Sequence, residues 1–122
     1  MNAETVLIIE DEPALLRGLE DNFRFEGYTV RTADDGEKGL LAALDSGLDL
    51  IILDMIMPEM GGGETYDQIK EDSPKVKVLL ASGYSINGEA TEILKRGCNG
   101  FIQKPFNMKE LSGRIREVLD NE

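Results

Sequence analysis

The sequence predicts an α/β fold: a single doubly wound (βα)5 domain built on a five-stranded parallel sheet. Three observations carry this expectation. Short apolar runs of strand length recur along the 122 residues, helix-length periodic segments separate them, and Gly or Pro stands at the ends of those segments.

Thr5–Ile9 (TVLII) is the first apolar run, of the kind buried on both faces of a sheet. Pro13 suits the first turn of the helix that follows, in which Leu16, Leu19 and Phe23 share one face, and Gly27 suits its end. Tyr28–Thr32 (YTVRT) is a weaker strand, as an edge strand would be. Leu50–Leu53 (LIIL) and Val76–Ala81 (VKVLLA) are again continuous apolar runs, and Gly47 and Gly97 follow helical segments as Gly27 does. A helix over Ile86–Arg96 precedes the last strand, Gly100–Gln103 (GFIQ). Asn107 then caps a final helix, with Glu110 three residues on and a stripe of Met108, Leu111, Ile115, Val118 and Leu119. Strands alternating with helices pair in parallel through right-handed crossovers, which places helices on both faces of the sheet. No solenoid repeat, low-complexity linker, second domain or effector module is expected.

Composition excludes several chemistries. With 13 Lys+Arg against 24 Asp+Glu the formal net charge is −11, so neither nucleic acid nor an anionic membrane surface is an expected partner. The absence of histidine rules out His-based triads, His-ligated metals and a phosphohistidine in this chain. A single cysteine, Cys98, rules out an internal disulfide and a cysteine-cluster zinc site. It also fits a reducing compartment, and no apolar run reaches the roughly 18 residues a membrane helix needs, so a cytoplasmic location is expected.

In an open parallel sheet, ligands bind outside the carboxyl ends of the strands. Those ends carry Glu10-Asp11-Glu12, Asp54 (followed by Met55-Ile56-Met57-Pro58), Ser82-Gly83 and Lys104-Pro105-Phe106. Each has an ordinary explanation by itself: acids cap helices, serine favours turns, and a lysine before proline is usually exposed. Together they place carboxylates, a hydroxyl and an ammonium on one edge of one sheet. Carboxylates sharing a crevice repel unless a cation offsets them, and hard oxygen donors without His or Cys select Mg²⁺ or Mn²⁺. A metal beside one carboxylate, with Ser and Lys opposite, forms a phosphoryl-transfer site in which Asp54 is the nucleophile.

VLIIEDEP (6–13), LDMIMPEM (53–60), LLASGYS (79–85) and GFIQKPF (100–106), in this order and at this spacing, resemble the receiver domain of two-component response regulators. The resemblance runs from about Thr5 to Leu119 and makes the whole of 1–122 one receiver domain. It implies a flavodoxin-like sheet of strand order 2-1-3-4-5. It further implies that Glu10, Asp11, Asp54 and the backbone carbonyl of Ile56 hold Mg²⁺, that Asp54 accepts the phosphoryl group, and that Ser82 and Lys104 contact it. Ser82 and Phe101 would form the switch, the aromatic filling space left as the hydroxyl moves inward. The implied partners are a sensor histidine kinase or phosphotransfer protein, then a downstream protein or other domains of a parent chain. Catalysis would be limited to self-phosphorylation and slow autodephosphorylation, without turnover of an external substrate. An interaction module working unphosphorylated is the alternative, favoured if Ser82, Lys104 or a pocket acid were missing. A free-standing phosphatase would need a second Asp where Ile56 stands.

The stretch from ASGYS (81–85) through RGCNGFIQKPF (96–106) is similar to receivers of hybrid sensor kinases, so a receiver excised from a larger chain is expected. Its output surface would be the Ile86–Arg96 helix, the fifth strand and the last helix, with Leu94, Ile102 and Met108 either offering apolar contacts there or packing into the core. Two departures from the family pattern matter: Glu10 stands where Asp is commoner, and Gly61-Gly62-Gly63 promises a loose loop. Phe101 also lacks the hydroxyl of the tyrosine common at its position. Ile56 and Tyr84 flank the path of water to the acyl phosphate, and both are bulky. Ile56→Asn and Tyr84→Ala are therefore expected to speed loss of the phosphoryl group, read as the decay of labelled protein; unchanged rates would contradict this.

Overall fold

The alternation of apolar runs and periodic segments gives five β-α units in a computed structural model that describes residues 4–44, 47–54, 62–82 and 88–120. They are β1 (Thr5–Ile9), α1 (Pro13–Phe25), β2 (Thr29–Ala33), α2 (Gly36–Ala43), β3 (Leu50–Asp54), α3 (Gly62–Asp72), β4 (Lys77–Ser82), α4 (Gly88–Lys95), β5 (Gly100–Gln103) and α5 (Met108–Asp120). All strand pairs are parallel and the order is β2-β1-β3-β4-β5, as expected. The order reverses direction at β1, beside β3, which is where such a sheet opens a crevice.

The side-chain period of two divides the core into two layers. Leu7, Ile9, Ile51, Leu53, Val78 and Leu80 face one layer with Tyr66 and Ile69 of α3 and Ile93 of α4. Val6, Ile8, Leu50, Ile52, Leu79, Ala81 and Ile102 face the other, with Leu19 and Phe23 of α1 and Leu111, Ile115 and Val118 of α5. Each fully buried aliphatic side chain contributes about 1.5–3 kcal/mol of transfer free energy, so this double layer fixes the register strongly.

The helix ends follow local chemistry. Pro13 stands in the first turn of α1, Asp35 accepts the Lys38 N–H at 2.7 Å to start α2, and Asn107 accepts the Glu110 N–H at 2.7 Å to start α5. Gly27 and Gly97 take the left-handed conformation at φ 101° and 109°, which ends α1 and α4. Close packing of α2 on β1 depends on Gly39, where a Cβ would lie 2.6 Å from Ile9 Cδ1.

The structure corrects the sequence reading in several places. The second strand is Thr29–Ala33, not Tyr28–Thr32, because the Tyr28 N–H closes the turn on Phe23 O and its ring packs edge-on against Phe23 at 5.8 Å. Strand β3 runs to Asp54, one residue past the expected Leu53, and β4 is Lys77–Ser82 instead of Val76–Ala81, so Asp54 and Ser82 are the last residues of their strands. Gly62 and Gly63 open α3 instead of extending a loose loop, with Tyr66 and Ile69 anchoring that helix to the core; Gly61 lies outside the described residues. Of the two readings open for Ile102 and Met108, the core one holds: Ile102 is a core residue of the α1/α5 layer, and Met108 packs half-buried against the same layer. The α4 helix is seen from Gly88; Ile86 lies outside the described residues.

Cys98 packs against the α3/α4 layer, and its thiol donates to Val78 O at 3.3 Å. Burial pushes the thiol above its ordinary range, against smaller opposing effects of backbone hydrogen bonds and Lys70. The thiolate is the reacting form, so a raised value means slow alkylation at neutral pH. In the folded protein, iodoacetamide labelling of Cys98 is expected to lag an unfolded control at pH 8 and to catch up only at more alkaline pH. Equal rates at pH 8 would contradict this.

Candidate functional site

The alternation that builds the two layers also aims the polar residues at the strand ends. Glu10, Asp54 and Lys104 each lie two positions beyond a residue of the α1/α5 layer, respectively Ile8, Ile52 and Ile102. Ser82 lies two beyond Leu80 of the other layer, and Phe101 pairs with Leu80 across β4 and β5, so Ser82 and Phe101 share the α3/α4 face. Register brings the groups side by side. Ile9 pairs with Leu53, which sets Glu10 beside Asp54, and Ser82 pairs with Gln103, after which the Lys104 N–H donates to Ser82 O at 2.6 Å.

Three of these polar groups are buried: Glu10 is 3% exposed, Asp54 4% and Ser82 3%. Asp11 stands closer to solvent at the rim. One carboxylate oxygen from each of Glu10, Asp11 and Asp54 lies within 4.8 Å of the others, a cluster that could bind a metal ion. Lys104, preceding a cis proline bond, turns inward rather than out. Its Nζ lies 2.7 Å from Glu10 Oε1 and 3.4 Å from Asp54 Oδ1. Burial works against this ammonium, but its hydrogen bond to Glu10 and the charges of Asp54 and Glu10 outweigh that and hold it above the ordinary lysine range. The second Glu10 oxygen accepts the Glu12 N–H at 3.2 Å, at the start of α1, where Glu12 itself makes no side-chain cap.

The sequence-predicted groups Glu10, Asp11, Asp54, Ser82 and Lys104 therefore meet at one sheet edge, and Phe101 lies on the neighbouring strand, half-buried against the core. Ile56 and Tyr84 lie outside the described residues. What sequence reasoning missed is the direct Glu10–Lys104 contact, and a cleft of about 610 Å³ beside the site, lined by Glu12, Ala14, Leu15, Lys104, Pro105 and Phe106. Its signal was present in Lys104-Pro105-Phe106, but nothing in the sequence says that α1 supplies the opposite wall. A cleft of similar size at the other end of the sheet, lined in part by Leu44, Asp49, Lys75 and Leu119, contains none of the predicted groups.

Comparison with known proteins gives the family. The family model described as "Response regulator receiver domain" matches residues 6–116. The chain is 37% identical over 114 residues to the response regulator ArlR of Staphylococcus epidermidis, covering 93% of this chain and 52% of ArlR. It is 32% identical over 120 residues to the sensor kinase CckA of Brucella abortus, covering 97% of this chain and 13% of CckA. It thus spans about half of one relative and a small part of the other. Among solved structures, a CheY-like receiver domain protein from Methanospirillum hungatei superposes with a TM-score of 0.92 at 28% identity, covering 98% of this chain and 95% of that one.

Removing the ammonium leaves Glu10 and Asp54 buried without it. Lys104→Met is expected to lower stability by about 1–3 kcal/mol in metal-free buffer, a figure reduced from that of a fully buried pair because Lys104 is partly exposed. Urea unfolding measures this, and an unchanged midpoint would contradict it.

Proposed function

The chain belongs to the response regulator receiver family of two-component systems, and from that premise we propose that it is a phosphoacceptor: Asp54 takes a phosphoryl group from a phosphohistidine of a partner kinase or phosphotransfer protein. The observation that carries this reading is the meeting of a buried Asp54 with Lys104, Ser82 and two further acids at one sheet edge. The donor set is all carboxylate, which suits Mg²⁺, or Mn²⁺, held by Glu10, Asp11 and Asp54. Such a cation supplies charge neutralisation at the phosphoryl oxygens.

An Asp54 carboxylate oxygen attacks phosphorus as the P–N bond to the donor imidazole breaks. The bonding pair stays on the imidazole nitrogen, and solvent supplies any proton it takes up. The product is an aspartyl phosphate, carrying up to two negative charges and strong acceptor oxygens. Lys104 pairs with those oxygens, and Ser82 donates its hydroxyl to one of them. The Ser82 movement is passed to Phe101, which shares its sheet face, and so to the α4, β5 and α5 surface. Phe101 acts by packing alone. The cleft bounded by α1 and Lys104-Pro105-Phe106 gives the donor its approach. The 32% identity with a sensor kinase supports a place beside kinase domains in a parent chain, and the ArlR match supports a place in a separate regulator.

Intact-mass measurement after acetyl phosphate and Mg²⁺ tests this. One phosphoryl adduct on the wild type and none on Asp54→Ala is expected. Equal adducts on both chains, or none on either, would overturn the assignment.

A further inference from the structure

Away from the acidic edge, a second group of reactive side chains lies together: Tyr66, Lys70 and Cys98. Tyr66 and Lys70 stand one turn apart on α3, and Cys98 lies in the turn between α4 and β5. Tyr66 belongs to the apolar layer against which Cys98 packs. The Tyr66 side chain is 1% exposed, and its hydroxyl has no hydrogen-bond partner among the described residues. The charge that acts most on this phenol is the one Cys98 carries as a thiolate, ahead of Asp67 and Arg96, so the hydroxyl stands near the sulfur. Lys70 also acts on the thiol, with its ammonium held by Val76 O at 2.8 Å and Pro74 O at 3.0 Å. A buried O–H donor left without an acceptor costs free energy, which calls for a physical reason. The reduced thiol does not supply one: sulfur accepts weakly, and its own hydrogen is turned to Val78 O at 3.3 Å. An oxygen atom on that sulfur would.

We propose that Cys98 is an oxidation site whose sulfenic form is held by the Tyr66 hydroxyl. The oxidant is a hydroperoxide, which reaches a thiol that is only partly buried. Cys98 gives up its proton and its sulfur attacks one peroxide oxygen, so that an S–O bond forms as the O–O bond breaks. Sulfur is oxidised by two electrons, and the leaving oxygen takes the bonding pair and a proton, departing as water or an alcohol. The new oxygen accepts the Tyr66 O–H, and the Lys70 ammonium favours its charged form. Both draw electron density away from the sulfur, so a second peroxide converts it slowly to the irreversible sulfinic acid. Burial keeps the reduced thiol slow to react, so the site governs how long the product lasts and not how fast it forms. Cys98 is the one cysteine of the chain, so no internal disulfide consumes the product. None of the groups at the acidic edge takes part, and the phosphoacceptor reading stands or falls separately.

Tyr66→Phe removes the hydroxyl and little else. Wild type and variant are treated with hydrogen peroxide, and timed samples are unfolded in urea containing dimedone, which traps sulfenic acid. Peptide mass spectrometry then counts trapped and sulfinic Cys98 separately from oxidised methionines. Trapped Cys98 is expected to accumulate in the wild type and to pass to sulfinic acid about threefold faster or more in Tyr66→Phe, the worth of one hydrogen bond. The same rate in both chains, or no trapped Cys98 in the wild type, would overturn the proposal. Iodoacetamide distinguishes this from looser packing, since it should label the reduced thiol equally fast in both chains. An increase in labelling that matches the increase in overoxidation would overturn the proposal. A second readout leaves position 66 intact: the NMR resonance of the Tyr66 ring carbon bearing oxygen should shift on peroxide treatment in the wild type and not in Cys98→Ser. An unmoved resonance in the wild type, or an equal shift in Cys98→Ser, would overturn it too.

Discussion

The functional edge of this sheet depends on one ammonium placed between two buried carboxylates. Ionised carboxylates this close repel one another and, left unpaired in the interior, would drive the strand ends apart. Lys104 offsets both at once, 2.7 Å from Glu10 and 3.4 Å from Asp54, and so lets a cluster that destabilises the fold persist within it. Sites of this kind trade stability for chemistry, and the lysine limits the loss.

The rest of the structure serves that placement. The parallel register sets Glu10 beside Asp54, and the two-residue period aims Glu10, Asp54 and Lys104 along the α1/α5 face while Ser82 and Phe101 follow the other. Both core layers would have to repack for any strand to slip by one residue, because a slip exchanges buried aliphatics for polar neighbours on every rung. Tight backbone approach matters at one further point: the Gly39 Cα sits against Ile9, the residue before Glu10, so α2 presses directly on the strand that carries the acid.

Much of this was legible in the residues. Continuous apolar runs marked β1, β3 and β4, and the polar residue ending each run marked the site, because a buried strand leaves its polar groups only at its ends. Asn107, Pro13, Gly27 and Gly97 acted at helix ends as their local chemistry requires. What was not legible depends on reach and depth. The Glu10–Lys104 contact joins groups 94 positions apart, and whether an ammonium turns inward or outward is set by the local fold, not by residue type. Ile102 and Met108 stay open between surface and core on sequence alone because a short last strand gives too few alternations to assign a face, and both pack on the α1/α5 layer. Tyr66 was read in no role, yet it is 1% exposed, with a hydroxyl that has no hydrogen-bond partner among the described residues and a phenol pushed up to about 12, chiefly by burial.

The central claim is that Asp54, and neither of the two acids grouped with it, carries the phosphoryl group. Reduction of an acyl phosphate with borohydride converts the bearing aspartate to homoserine, which survives digestion and peptide sequencing by mass spectrometry. After treatment with acetyl phosphate and Mg²⁺, homoserine at position 54 alone is the expected result. A reduced residue at Glu10 or Asp11, or none anywhere in a chain that had gained a phosphoryl adduct, would contradict the account.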